Sequence, residues 1–190
     1  MRKILDIDIQ KELTEMIKNK KEELIYCIYD NPVVFKSLAN DVNIDYCLKH
    51  NITNIIETSN LGGTIVSSAG DLGIAVLKKR GFKVGDNFLE ILLENFKDRI
   101  PNLHIDNNDL IGEEKYKMAS FASAHIGDHY IYTIIQISMN PNIEHIKNIC
   151  SKKMTKIPRG FNSYGINVDE IVELIPQIDD LENKKEQIII

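Results

Sequence analysis

Leu61-Gly62-Gly63-Thr64-Ile65-Val66-Ser67-Ser68-Ala69-Gly70-Asp71-Leu72-Gly73 is the stretch on which the reading of this chain turns. A glycine pair precedes a short β-prone run, two serines follow, and Gly70 and Gly73 flank Asp71-Leu72. Paired glycines let the backbone approach a ligand closely and aim N–H groups at an anion. Gly62, Gly63, Thr64, Ser67, Ser68, Gly70 and Asp71 are therefore candidate ligand-binding residues, with strands expected over 64–67 and 72–77.

Upstream, Ile9, Leu13, Met16 and Ile17 recur at helical spacing and predict a helix over residues 8–20. Leu24–Tyr29 reads as a buried strand closed by Asp30-Asn31-Pro32. A helix is expected over 41–50, with Ile44, Cys47 and Leu48 inward, and a strand over 52–56. Downstream, Asp86 is placed to cap a helix whose stripe is Leu89, Leu92, Leu93 and Phe96, closed by Pro101. Short strands follow at 103–105 and 110–112, then 115–124 and the run Tyr130–Ile137. Asn140-Pro141 predicts a helix to Cys150, and Asn167 with Glu170 forms a capping-box start to a last helix stopped by Pro176. This order gives an α+β fold in one domain over 1–176, with a polar C-terminal tail over 177–190.

The chain has 190 residues and a formal net charge of −5, which argues against a nucleic-acid partner. No apolar run reaches the length of a membrane span, and Met1–Asp8 lacks a signal-peptide core, so a cytoplasmic protein is expected. Cys27, Cys47 and Cys150 form no metal-spaced set and no disulfide framework. His125-Ile126-Gly127-Asp128-His129 holds metal-ligand residue types, yet Gly127-Asp128 is also hairpin chemistry, and no metal site is assigned.

The order of these motifs resembles the catalytic domain of the biotin and lipoate protein ligases, a class II synthetase-like fold, and most closely its lipoate-protein ligase and octanoyltransferase branch. Gly62-Gly63-Thr64-Ile65 and Gly70-Asp71-Leu72 fall on the family's Arg-Arg-x-Ser-Gly-Gly-Gly-Ala-Val-x-His-Asp-x-Gly-Asn-Leu, with Ser67-Ser68 on His-Asp. Asn108-Asp109-Leu110 and Lys115-Tyr116-Lys117-Met118 match Asn-Asp-Ile/Leu and Gly-x-Lys-Ile-x-Gly-x-Ala. Tyr130–Ile135 lies against His-His-Gly-Thr-Leu-Leu, and Lys156-Ile157-Pro158 with Tyr164-Gly165-Ile166 resembles a late Lys-Val-Pro…Lys-Gly-Ile segment. The resemblance implies a mixed, mostly antiparallel sheet with flanking helices. It implies activation of a small carboxylic acid (lipoate, octanoate or biotin) by ATP and Mg²⁺, then acyl transfer to a lysine of a lipoyl or biotinyl carrier domain. It makes Lys115 the catalytic cation and adds Asn108 and Asp109 to the nucleotide-binding residues.

An acyl-adenylate needs N–H donors and a cation at its phosphate, and an apolar tunnel for the acid, for which Ile65, Val66, Ile74 and Val76 are candidate walls. Glu57-Thr58 stands where the family has two arginines, a change of two charge units at one position, so Lys78, Lys79 and Arg80 are candidates for the replacement charge. The alternative is a catalytically inactive member that serves as a ligand- or protein-binding module. A thioester route through Cys27 or Cys150, as in the family's acyltransferase branches, is a further alternative.

Overall fold

The computed structural model describes residues 1–5, 8–36, 41–57, 64–150 and 156–178. Gly62, Gly63 and Thr58 lie outside the described residues, as does the tail from residue 179. Ten strands and five α-helices are described, in the order β1 (Arg2–Lys3), α1 (Ile9–Asn19), β2 (Glu23–Ile28), β3 (Val33–Lys36), α2 (Ile44–Lys49), β4 (Asn54–Glu57), β5 (Ile65–Ser67) and β6 (Leu72–Lys79). Then come α3 (Val84–Phe96), β7 (His104–Asp106), β8 (Asp109–Ile111), β9 (Lys117–Ile126), β10 (Tyr130–Ile137), α4 (Ile143–Ile149) and α5 (Val168–Val172).

Seven strands form one sheet in the order β1-β2-β6-β10-β9-β8-β7, antiparallel except for the β1–β2 pair. Three form a smaller sheet, β4-β3-β5, in which β3 runs parallel to β4. Side chains alternate across a strand, so each β6 residue commits to one face. Leu72, Ile74 and Val76 pack beneath α3 and α5, with Phe88, Leu89, Leu92, Ile171 and Ile175. Ala75 and Leu77 face the other way, into a layer filled by Leu13 and Met16 of α1 and by Val33, Phe35 and Ile56 of the small sheet. On its far side the small sheet is covered by α2 and α4 through Val34, Cys47, Ile52 and Ile149. Ile74 borders the small cavity of the inter-sheet layer, but it and Val76 belong to the α3 core, so the expected tunnel walls divide between opposite faces.

Several local expectations shift by a few residues. Strand β3 was hidden behind the Asn31-Pro32 turn. Helix α2 begins only at Ile44, and of its three expected inward residues Cys47 alone is buried; Ile44 and Leu48 are exposed. Helix α3 starts at Val84, ahead of Asp86, which therefore sits inside its first turn and caps nothing. Helix α4 is capped by Asn142, whose side chain accepts the His145 N–H, instead of by Asn140. The Asn167–Glu170 capping box is present as read, and Ile178 just beyond α5 is buried in the main core.

Gly73 needs to be glycine because Tyr29 lies on it. A Cβ there would stand 1.9 Å from the Tyr29 hydroxyl, which donates to Gln136 Oε1 at 3.2 Å. Gly73→Ala is expected to displace that ring and cost about 2 kcal/mol, read as a lower urea midpoint at unchanged slope.

Candidate active site on the inter-sheet face

Strand register assembles the site. Gln136 of β10 pairs with Gly73 of β6 on one side and Ser120 of β9 on the other. Ser120 pairs with Asp109 of β8, and Asp109 with Asp106 of β7. Paired residues share a face, so Gly73, Gln136, Ser120, Asp109 and Asp106 form one row across five strands, about 19 Å long at the usual strand spacing. It looks toward the small sheet, since Tyr132 and Ile134, on the Gln136 face of β10, pack in the inter-sheet layer.

A bulge adds a cation to the row. Leu110 pairs with Ala119 but Ile111 pairs with Lys117, leaving Met118 as the extra residue. Leu110, Met118 and Ala119 sit in the α3 core. Lys117, opposite Ile111, is thereby turned onto the face of Ser120 and Asp109, and its ammonium lies 3.2 Å from Asp109 Oδ1. Lys156 Nζ bridges Asp106 Oδ2 and Asp109 Oδ2, each at 2.8 Å. Hydrogen bonds to the two carboxylates raise the Lys156 pKa, and the same bond holds Asp106 below the usual range.

The sequence candidates distribute unequally over this geometry. Asp109 is in the row, whereas Asn108 is an exposed turn residue whose carbonyl accepts the Phe121 N–H at 3.0 Å. Lys115 is exposed at the end of a 3₁₀ turn, with φ 64°, and its neighbour Glu113 is held by Arg159 and the Tyr164 hydroxyl, both at 2.9 Å. Moving the family pattern two residues sets its lysine on Lys117, its glycine on Ser120 and its alanine on Ala122, which places all three on the row face. Both lysines were legible in the sequence; the bulge that turns Lys117 onto the row face was not.

Around the opening stretch, Thr64 Oγ1 donates to Asp41 Oδ1. Gly70, with φ 86°, turns the chain and gives its N–H to the Tyr29 carbonyl at 2.7 Å. Asp71 is 1 % exposed and accepts three backbone N–H groups: Ser68 at 2.8 Å, Met139 at 2.7 Å and Asn140 at 3.3 Å. Burial nevertheless pushes its pKa up to about 6. Ser68 Oγ accepts the Asn142 N–H at 2.8 Å, so this turn is bolted to the start of α4. Ser67 and Ser68 border a cleft of about 240 Å³ shared with Asn140, Asn142 and His145.

The Ser67 hydroxyl is buried without a hydrogen-bond partner among the described residues. Ser67→Ala is expected to raise stability by about 1 kcal/mol in chemical denaturation, because it deletes an unpaired polar group. Glu57 is 81 % exposed on its side chain and pairs with Lys36 at 3.3 Å. Lys78, Lys79 and Arg80 lie at the far end of β6, roughly 20 Å along the strand from Gly73, so the row's positive charge comes from Lys117 and Lys156 instead. Burial raises the Cys150 thiol pKa, the opposite of what a nucleophile needs. His125 and His129 flank a hairpin turn at Gly127, and no cluster of three metal-ligating residues occurs among the described residues. No described helix is long and apolar enough to cross a membrane.

No family model matches the sequence, and no curated protein does. Solved structures do match. A bi-partite lipoate protein ligase from Thermoplasma acidophilum superposes with a TM-score of 0.71 at 12% identity, covering 94% of this chain and 79% of that one. The fold is that of the biotin and lipoate protein ligases. A lipoate-protein ligase A bound with ATP gives 0.70 at 12% identity, over 93% of this chain and 82% of that chain. The biotin protein ligase of Leishmania major in complex with biotinyl-5-AMP gives 0.52 at 11% identity, over 93% and 70%. At such identities the likeness establishes the ligase architecture, and the chemistry has to be argued from this chain's own residues.

Proposed function

We propose that this ligase-fold protein activates a small carboxylic acid with ATP and Mg²⁺ and passes the acyl group to a lysine of a carrier domain, such as a lipoyl or biotinyl domain. The observation that carries the reading is the row on the inter-sheet face, with Lys117, Asp109, Ser120 and Gln136 brought together from β8, β9 and β10. The row fits the reactants. Two ammonium groups suit an α-phosphate and an acid carbonyl, and Asp106 and Asp109 offer the one or two carboxylates that Mg²⁺ takes alongside substrate phosphates. Lys117 then neutralises the charge that develops as the carboxylate oxygen attacks the α-phosphorus of ATP and the bond to the departing pyrophosphate breaks, while Ser120 and Gln136 orient the acid. The strip Ser120, Ala122 and Ala124 on the same face supplies small side chains over which its chain can lie.

Fold relatives favour the same reading, since solved members carry ATP or biotinyl-5-AMP. One observation favours the alternative, a binding module without turnover: the row is electrically balanced, two lysines against two aspartates. Acid-dependent ATP–pyrophosphate exchange decides between them. Exchange with lipoate, octanoate or biotin is expected; acid binding without exchange would establish the module, and neither would remove both.

A further inference from the structure

Lys117 stands where β9 loses one of its neighbours. The last residue of β10, Ile137, pairs with Ala119, and the Ser138 N–H reaches the Met118 carbonyl at 2.9 Å. Met139 and Asn140 then turn away and give their N–H groups to Asp71. Ile157-Pro158-Arg159 takes up the vacated side. The Lys117 N–H donates to the Ile157 carbonyl at 2.9 Å, and the Arg159 N–H donates to the Lys117 carbonyl at 3.0 Å. Lys117 and Pro158 thus form a parallel bridge that asks for no N–H from the proline.

Arg159 anchors this segment. Its guanidinium carbon lies 4.9 Å from the centre of the Tyr116 ring and 5.3 Å from that of Tyr164. Its Nη1 donates to Glu113 Oε1 at 2.9 Å, and the Tyr164 hydroxyl donates to the same oxygen at 2.9 Å. Tyr116 immediately precedes Lys117, and Glu113 opens the turn that leads to it. That turn holds two successive non-glycine residues at positive φ, Glu114 at 53° and Lys115 at 64°. Such backbone persists where surrounding contacts over-determine it, and Arg159 and Tyr164 supply those contacts at Glu113. Beyond Arg159 the Phe161 N–H donates to the Ser138 carbonyl at 3.0 Å, so both ends of the segment are tied down.

The residue before the bridge, Lys156, carries the ammonium that bridges Asp106 and Asp109. Four consecutive residues therefore deliver one cation of the row and fix the backbone of the other. A charge aimed at a developing charge acts through its position, and a misplacement of about 1 Å costs on the order of 100-fold in rate. We propose that Arg159 is a positioning residue for the reaction at the row: it touches no reactant, and it holds Ile157-Pro158-Arg159 against Lys117 so that the Lys117 ammonium stays on the row face. This role rests on the acid-activation reading and adds to it a residue outside the row.

The test is ATP–pyrophosphate exchange by the full chain for wild type, Arg159→Ala, Arg159→Lys, Lys117→Ala and the Arg159→Ala/Lys117→Ala double variant. Arg159 and Glu113 have side-chain exposures of 36% and 31%, so the fold should survive loss of their pair. Arg159→Ala is expected to lower kcat about tenfold, with KM for ATP and acid within about twofold of wild type. Arg159→Lys keeps a cation between the two rings and should recover most of that loss. In the Lys117→Ala background Arg159→Ala should change the residual rate by less than about twofold, because the group it positions is gone. Amide hydrogen exchange at Lys117 should also become about tenfold faster in Arg159→Ala, since its acceptor is no longer held. If Arg159→Ala does not fold, Tyr164→Phe replaces it, with a loss of about threefold and the same dependence on Lys117. An unchanged kcat, a loss confined to KM, a loss that persists without Lys117, or an unchanged Lys117 amide overturns the proposal while leaving acid activation standing. Absence of acid-dependent exchange in wild type overturns both.

Discussion

Lys117→Ala is expected to lower acid-dependent ATP–pyrophosphate exchange by at least about 100-fold, while Lys115→Ala stays within about twofold of wild type. Removing one preorganised electrostatic partner from a developing negative charge typically costs that much. Lys117 is fixed by the Met118 bulge on the face of Ser120 and Asp109, whereas Lys115 is exposed on a turn at the edge of the row. The loss should not come from unfolding. The Lys117–Asp109 pair is partly solvated, with side-chain exposures of 35% and 19%, and such pairs contribute at most about 1 kcal/mol. Lys156 also still holds Asp109 when Lys117 is gone. Lys117→Arg should recover part of the activity, since it restores charge but spreads it over a fork. Loss of exchange in Lys115→Ala with retention in Lys117→Ala would place the cation on the turn and dismantle the row as the reacting site.

The contrast between these lysines shows what the sequence could and could not yield. Elements defined by local chemistry were legible: the stripe of α3, the Tyr130–Ile137 run and the Asn167–Glu170 box each depend on residues a few positions apart. Caps were legible only in kind. Asn142 replaced Asn140 because the helix begins two residues after Pro141, and its Oδ1 reaches the His145 N–H there. Cross-strand facts were not legible. Nothing within the sequence window of Lys117 announces that Ile111 will face it, and one bulged residue reverses which side of the sheet a lysine occupies. The same holds for Gln136, an ordinary polar residue in an apolar run until its neighbours prove to be Gly73 and Ser120. The opening glycine segment was legible as a landmark of the fold. Within it, Asp71 and Ser68 now have a definite structural task, the joining of β6 to the start of α4.

That joint gives the largest stability effect. Asp71→Ala leaves the N–H groups of Ser68, Met139 and Asn140 without their acceptor in a site 1 % exposed, and is expected to cost about 3 kcal/mol. Asp71→Asn keeps one acceptor oxygen and should cost less. The pH dependence identifies the cause. Burial raises the folded-state pKa from 3.8 to about 6, so between these values the folded protein binds a proton that the unfolded chain has released. Stability from this group is therefore complete below about pH 4 and is lost as the pH rises through 6. Linkage sets its share at about 1.4 kcal/mol in favour of pH 5 over pH 7.5. Wild type minus Asp71→Asn, measured by urea denaturation at both pH values, should show that difference, because the other titrating groups cancel. A flat difference would mean that the three N–H donors hold the carboxylate ionised as firmly as water does. In that case the joint between β6 and α4 would be worth more at neutral pH than its burial allows.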